Sequence, residues 1–204
     1  MIPPLEALER LRDGNQRFAA DTPDPLASLA RRREVAGGQA PFAIILGCSD
    51  SRVPAEIVFD QGLGDLFVIR VAGNIVAPSQ VGSVEFAAER FHTRLVVVLG
   101  HSECGAIMAT IEELGRPEPS RSRNLRSIVD RVRPSVEDLL ATEIGHHTET
   151  LVRQAVRANI RTSVEHLRHG SEILEQLIQN QGLLVVGAEY SLDTGIVDFF
   201  DGVD

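Results

Sequence analysis

Cysteine is scarce in this 204-residue chain: Cys48 and Cys104 are the only two. A disulfide framework therefore does not stabilise it, and one bridge at most could form. No window reaches the ~18 consecutive apolar residues that a membrane span needs. The first thirty residues also lack a positively charged start followed by an apolar run. The chain is expected to be soluble and cytoplasmic with no membrane partner, although a leader already removed would leave no trace. Basic residues are outnumbered by acidic ones, 20 to 29, for a formal charge of −9. That balance argues against a broad phosphate-neutralising surface, and no nucleic-acid partner is expected. The run Arg31, Arg32, Arg33 reads as a solvated helix face.

With 43% hydrophobic residues, the chain is long enough to bury one α/β core, and its length demands no second domain. Residues 4–20 place Leu5, Leu8, Leu11 and Phe18 at helical spacing among charged residues, which predicts an amphipathic helix stopped by Pro23 and Pro25. A second, arginine-rich helix is predicted at 26–35, ended by Gly37 and Gly38. Apolar runs at 42–46, 66–69, 95–99 and 183–186 lack period-two alternation, which suits strands of a parallel sheet buried on both faces. Helical patterns lie between them. Ser79 and Ser102 are candidate caps for two of these helices, and helical spacing also covers 124–140, 147–167 and 171–178. Residues 195–200 suit an edge strand. Residues 115–123 form the one loop long enough to suggest mobility. The expected fold is α/β: one domain over 1–204, with a central, mainly parallel sheet of about four strands plus an antiparallel edge strand. Helices flank the sheet, and residues 1–37 form a helical N-terminal arm.

Two motifs stand at the ends of predicted strands: Cys48-Ser49-Asp50-Ser51-Arg52 and His101-Ser102-Glu103-Cys104-Gly105. Ligands of open parallel sheets bind outside the carboxyl ends of the strands, where the strand order reverses. If the two strands are neighbours, Cys48 meets His101 and Cys104. Two thiolates and an imidazole suit zinc, and three protein ligands leave a fourth position open, as a catalytic site requires. Asp50 and Arg52 can pair in the loop beside the metal. There Asp50 can orient a bound water while Arg52 keeps it ionised, or Asp50 can itself take the fourth position and close the site. Each piece has a plainer reading: a cysteine packed as a small hydrophobe, and a loop ion pair.

These motifs resemble the signatures of the β-carbonic anhydrases, and the resemblance runs from Gly14-Asn15-Gln16-Arg17-Phe18 to the Tyr190, Asp193, Gly195 turn. It implies one Zn²⁺ per subunit on Cys48, His101 and Cys104, and Asp50 and Arg52 as the catalytic dyad. The implied reaction is reversible hydration of carbon dioxide to bicarbonate and a proton, with zinc-bound hydroxide as the nucleophile. A homodimer or dimer of dimers is implied too, with N-terminal helices embracing the partner and active sites at the interface. Gln39, Phe67 and Phe86 match substrate-pocket positions of the plant-like class, Phe86 standing where plant enzymes carry tyrosine. Another class has an inhibitory bicarbonate site made by a tryptophan, an arginine and a tyrosine. Arg70 and Tyr190 match two of its members, but Ile45 takes the place of the tryptophan, so this site is expected to be absent. The stretch Arg70-Val71-Ala72-Gly73-Asn74 departs from the order common among relatives.

The remaining histidines, His92, His146, His147, His166 and His169, are candidates for proton export or simply solvated surface residues. Carbon disulfide and carbonyl sulfide hydrolases share this resemblance and give an alternative substrate class. A catalytically idle zinc protein and a thiol enzyme built on Cys48 are the other competing readings.

Overall fold

A computed structural model describes residues 2–22, 29–116 and 122–203. Helix α1 (Pro4–Ala19) opens the chain with proline in its first turn, where the missing N–H costs nothing. It buries Ala7, Leu8 and Leu11 against its own chain, each leucine adding about 2 kcal/mol of hydrophobic stabilisation. A Cβ at Gly14 would collide with the Phe59 carbonyl oxygen, so only glycine admits this close approach. The Asn15 amide donates to Val58 O (3.1 Å) and Gly195 O (2.8 Å), and its oxygen accepts from Val197 N (2.8 Å). One buried asparagine thus ties the first helix to the last turn of the fold.

The predicted helix at 26–35 is instead two short 3₁₀ turns, Leu29–Arg33 and Val35–Gly37. Residues 23–28, with Pro23 and Pro25, lie outside the described residues. Arg31 is not simply solvated: with Arg10 it pairs with the buried Asp65 carboxylate, at 2.7 and 3.0 Å, whereas Arg32 and Arg33 are exposed.

Five strands follow with their intervening helices: β1 (Ala43–Gly47), α2 (Ala55–Val58), β2 (Leu66–Arg70), α3 (Pro78–Arg90), β3 (Leu95–His101), α4 (Gly105–Leu114), α5 (Arg123–Val132), α6 (Pro134–Leu140), α7 (Thr148–His169), α8 (Glu172–Gln181), β4 (Leu184–Tyr190) and β5 (Val197–Asp201). The sheet order is β2-β1-β3-β4-β5, with the first four strands parallel and β5 antiparallel at the edge, as expected. Alternate residues of β1 and β3 face opposite ways, and both sides are covered. Ile44, Leu46, Val96 and Val98 pack with Val84 and Ile160, while Ile45, Val97 and Leu99 pack with Leu11 and Phe59. Burial on both faces is why these runs are apolar without alternation.

Local details depart from the expected helix ends. The pattern at 124–140 is broken between α5 and α6, because Pro134 cannot supply a helical N–H. Helix α3 starts at Pro78 with Ala77 before it, and Ser79 donates instead to Gln80 Oε1 (3.0 Å). Helix α4 starts after Cys104, so Ser102 does not cap it; the Ser102 hydroxyl accepts from Leu192 N (3.0 Å) and braces the turn after β4. Ser122 and Ser171 do cap α5 and α8. Of the loop 115–123, residues 117–121 lie outside the described residues.

Candidate metal centre

From β1 the chain passes to β2 on one side, then crosses through α3 to β3 on the other. The carboxyl ends of β1 and β3 therefore flank a point where the strand order reverses. Cys48 follows β1 directly, His101 is the last residue of β3, and Cys104 precedes the first turn of α4. The register pairs Gly47 with Leu99, which sets the two strand ends side by side.

All three side chains are buried, with exposures of 5% for Cys48, 0% for His101 and 1% for Cys104. Their ligand atoms lie within 4.8 Å of one another, and the two sulfurs are 4.0 Å apart. That spacing is far beyond a disulfide bond. It is close to the ~3.8 Å that two thiolates at ~2.3 Å subtend on a tetrahedral ion. His101 supplies an independent sign. Its Nδ1 lies 2.8 Å from Ser102 O, an acceptor, so Nδ1 carries the proton and Nε2 keeps its lone pair. Nε2 is fully buried and has no hydrogen-bond partner among the described residues. Such an orphan is costly unless an ion completes it.

The sulfurs behave as one unit. Hydrogen bonding from Cys104 lowers the Cys48 thiol pKa against the opposing effect of burial, and the Gly73 N–H assists. Cys104 is pushed up by the same shared proton and by burial. A divalent cation would displace that proton and bind both thiolates.

Asp50 and Arg52 lock together beside this group. The Arg52 guanidinium makes two bonds, Nε to Oδ1 (2.9 Å) and Nη2 to Oδ2 (2.7 Å), and the Arg52 N–H adds a third to Oδ1 (3.0 Å). These bonds hold the Asp50 carboxyl well below the usual carboxylate range. Oδ2 lies 3.8 Å from His101 Nε2, next to the centre, yet Asp50 is not among the residues whose atoms converge there. Arg70, at the end of β2, donates to Cys48 O (3.0 Å) and Asp50 O (2.6 Å), so it clamps the loop that carries both side chains.

Cys48, Asp50, Arg52, His101 and Cys104 are thus brought together. Gln39, Phe67 and Phe86 have no hydrogen bond or ring contact with them in the single chain, among the described residues. Gln39 is exposed in the segment before β1. Phe67 and Phe86 join Phe91 in an aromatic trio with centroids 5.7 to 6.1 Å apart, and Phe86 is 52% exposed. The other histidines are all exposed. Ile45 is buried within β1, while Arg70 and Tyr190 stand on β2 and β4 with β1 and β3 between them.

The family model for carbonic anhydrase matches residues 43–197, which includes every residue of this centre. A solved β-carbonic anhydrase of Aspergillus fumigatus, CafA, superposes with a TM-score of 0.75 at 25% identity, covering 98% of this chain and 91% of that one. The chain belongs to the β-carbonic anhydrase family. The "Carbonic anhydrase 2" of Mycobacterium tuberculosis is 39% identical over 193 residues, 94% of this chain and 90% of that protein. The carbonic anhydrase of Mycolicibacterium smegmatis is 39% identical over 196 residues, 96% of this chain and 92% of that one. Two features of this β-carbonic anhydrase escaped the reading of its sequence: the Gly73 N–H directed at Cys48 Sγ (3.4 Å) and the Arg70 clamp. The departure at residues 71–73 was the available signal for the first.

Proposed function

We propose that this chain catalyses the reversible hydration of carbon dioxide with one Zn²⁺ held by Cys48, His101 and Cys104. The convergence of two buried sulfurs and one unpartnered, buried imidazole nitrogen carries this reading. Three protein ligands leave a position for water, and zinc bound there supplies Lewis acidity that makes water nucleophilic near neutral pH. Two thiolates offset the ion's charge, so the residues around it have more to contribute. Asp50, ionised and with its oxygens turned by Arg52, would accept a hydrogen bond from water in that position and orient it toward carbon dioxide. Arg52, paired with both Asp50 oxygens, would keep that carboxylate from taking the fourth position, and Arg70 keeps the Cys48–Asp50 loop in place.

Gln39, Phe67 and Phe86 are assigned to substrate contact across an interface between copies in a cytoplasmic homodimer or dimer of dimers. The exposure of Phe86 and Gln39 in the single chain supports that assignment. The absence of tryptophan and the plant-like positions support a pocket without the inhibitory bicarbonate site. Among the described residues, no helix is long and apolar enough to cross a membrane.

The test is stopped-flow hydration of carbon dioxide by zinc-loaded protein, run beside sulfide release from carbon disulfide and carbonyl sulfide. Rapid hydration with little sulfide release is expected. Negligible hydration with one zinc per chain would overturn the assignment, and fast sulfide release would move it to the sulfur substrates.

A further inference from the structure

We propose that Asn159 and Ser163, on the buried face of α7, are positioning residues of the metal centre: they hold the turn at residues 73 and 74 so that the Gly73 N–H donates to Cys48 Sγ. This inference rests on the reading that Cys48 binds a metal ion. The turn is an unusual one, since Gly73 (φ 71°, ψ 19°) and Asn74 (φ 43°) are successive left-handed residues. Glycine and asparagine adopt that region more readily than other residues, but two in succession persist only where their surroundings over-determine them.

Those surroundings come from α7. Asn159 Nδ2 donates to Gly73 O (2.7 Å), and Ser163 Oγ donates to Asn74 O (3.0 Å). On the opposite side of the turn, Gly73 N points at the Cys48 sulfur, 3.4 Å away. A continuous path of hydrogen bonds thus runs from the helix through two backbone carbonyls to a metal-ligating sulfur.

The placement of the two side chains argues that this path is built in. Asn159 and Ser163 are 2% and 3% exposed, and their i, i+4 spacing puts them on one face of α7, among Val152, Ala155, Val156, Ile160 and Val164. Burying an amide and a hydroxyl there is unfavourable unless partners compensate, and an apolar pair would fill the same face without that cost. The helix also comes close enough to the sheet for the bonds to form because two strand positions carry no side chain. A Cβ at Gly100 would lie 2.6 Å from Ile160, and one at Gly187 would lie 2.9 Å from it.

An N–H bond to a metal-bound thiolate draws electron density from sulfur and so strengthens the ion as a Lewis acid. With two thiolates already neutralising a divalent ion, that withdrawal matters more than in a site of three imidazoles.

The experiment substitutes Co²⁺ for Zn²⁺ in the full chain and compares wild type with Asn159→Ala, Ser163→Ala and Thr162→Val. Thr162 is the control, because its hydroxyl bonds Ser135 Oγ (3.0 Å) on α6 and does not touch the turn. In Asn159→Ala and Ser163→Ala the thiolate-to-cobalt charge-transfer band should move to longer wavelength, and metal loss to a chelator should quicken by about tenfold. Thr162→Val should keep the wild-type band and metal-loss rate even if its thermal stability falls. Should Asn159→Ala fail to fold, Ser163→Ala, which deletes a single oxygen, decides the matter. A wild-type band and metal-loss rate in folded Ser163→Ala would overturn the inference, as would the same changes in Thr162→Val. Failure of the wild type to bind Co²⁺ or Zn²⁺ would instead sink the metal-site reading.

Discussion

Replacing Gly100 with alanine tests how α7 is seated on the sheet. The new Cβ would lie 2.6 Å from both Cγ1 and Cδ1 of Ile160, against a preferred carbon–carbon separation of about 3.5–4.0 Å. The excess of about 1 Å cannot be relieved by a surface side chain, because Ile160 is fully buried. Over-packing of this kind costs about 1–3 kcal/mol. For a chain of this size, a loss of 2 kcal/mol lowers Tm by about 4–8 °C. Ile160→Val alone removes one of the two colliding carbons and should cost about 1 kcal/mol. Combined with Gly100→Ala it relieves part of the collision, so the double variant should be more stable than the sum of the single losses predicts, by about 1 kcal/mol. Urea unfolding of all four proteins, at one protein concentration and one metal loading, measures this coupling. Additivity within about 0.5 kcal/mol would refute the seating argument, and with it the stated reason that Asn159 and Ser163 reach the 73–74 turn.

Other expected outcomes concern the centre itself. His101→Ala and Cys104→Ser should each reduce bound zinc from about one per chain to a small fraction, read by elemental analysis of freshly purified, folded protein; retention of full zinc by either would remove that residue from the ligand set. Asp50→Ala should keep its zinc and lose carbon dioxide hydration by about 100-fold or more, whereas unchanged turnover would take Asp50 out of the reaction. Because Arg52 depresses the Asp50 pKa, the stabilisation from their pairing is fully present above the unfolded value of about 3.9 and is lost as pH falls through the lowered one. Carboxyl ¹³C resonances should therefore show Asp50 ionised at pH 4, with Arg52→Gln bringing its titration back toward the ordinary range; a titration above pH 4 in the wild type would contradict this electrostatic account.

Much of this molecule is legible in its sequence because the relevant signals are local. Short apolar runs without alternation, bounded by glycine and polar residues, suit strands covered on both faces, and the runs before Cys48 and through Leu99 become adjacent central strands. Chemistry-bearing residues immediately after such runs must emerge at strand ends, which is how Cys48, Asp50, Arg52, His101 and Cys104 could be picked out from spacing and residue type. Helix ends are less legible where two residues compete for one role. Ser102 looks like a cap, but its hydroxyl is taken by Leu192 N from a turn ninety positions later in the chain. Arg31 looks solvated until Asp65 is folded beneath it.

What the sequence determined by itself was the set of candidate metal ligands and the strands that deliver them, because both follow from residue chemistry and hydrophobic period. Tertiary structure alone decided that β1 and β3 are neighbours, that Arg70 clamps the Cys48 loop, and that α7 braces the turn facing Cys48 Sγ. Each of these depends on groups far apart in the chain meeting within about 3 Å. A distance of that kind is set by how closely one packed layer sits on another, and at Gly100 and Gly187 it is the absence of a side chain that sets it.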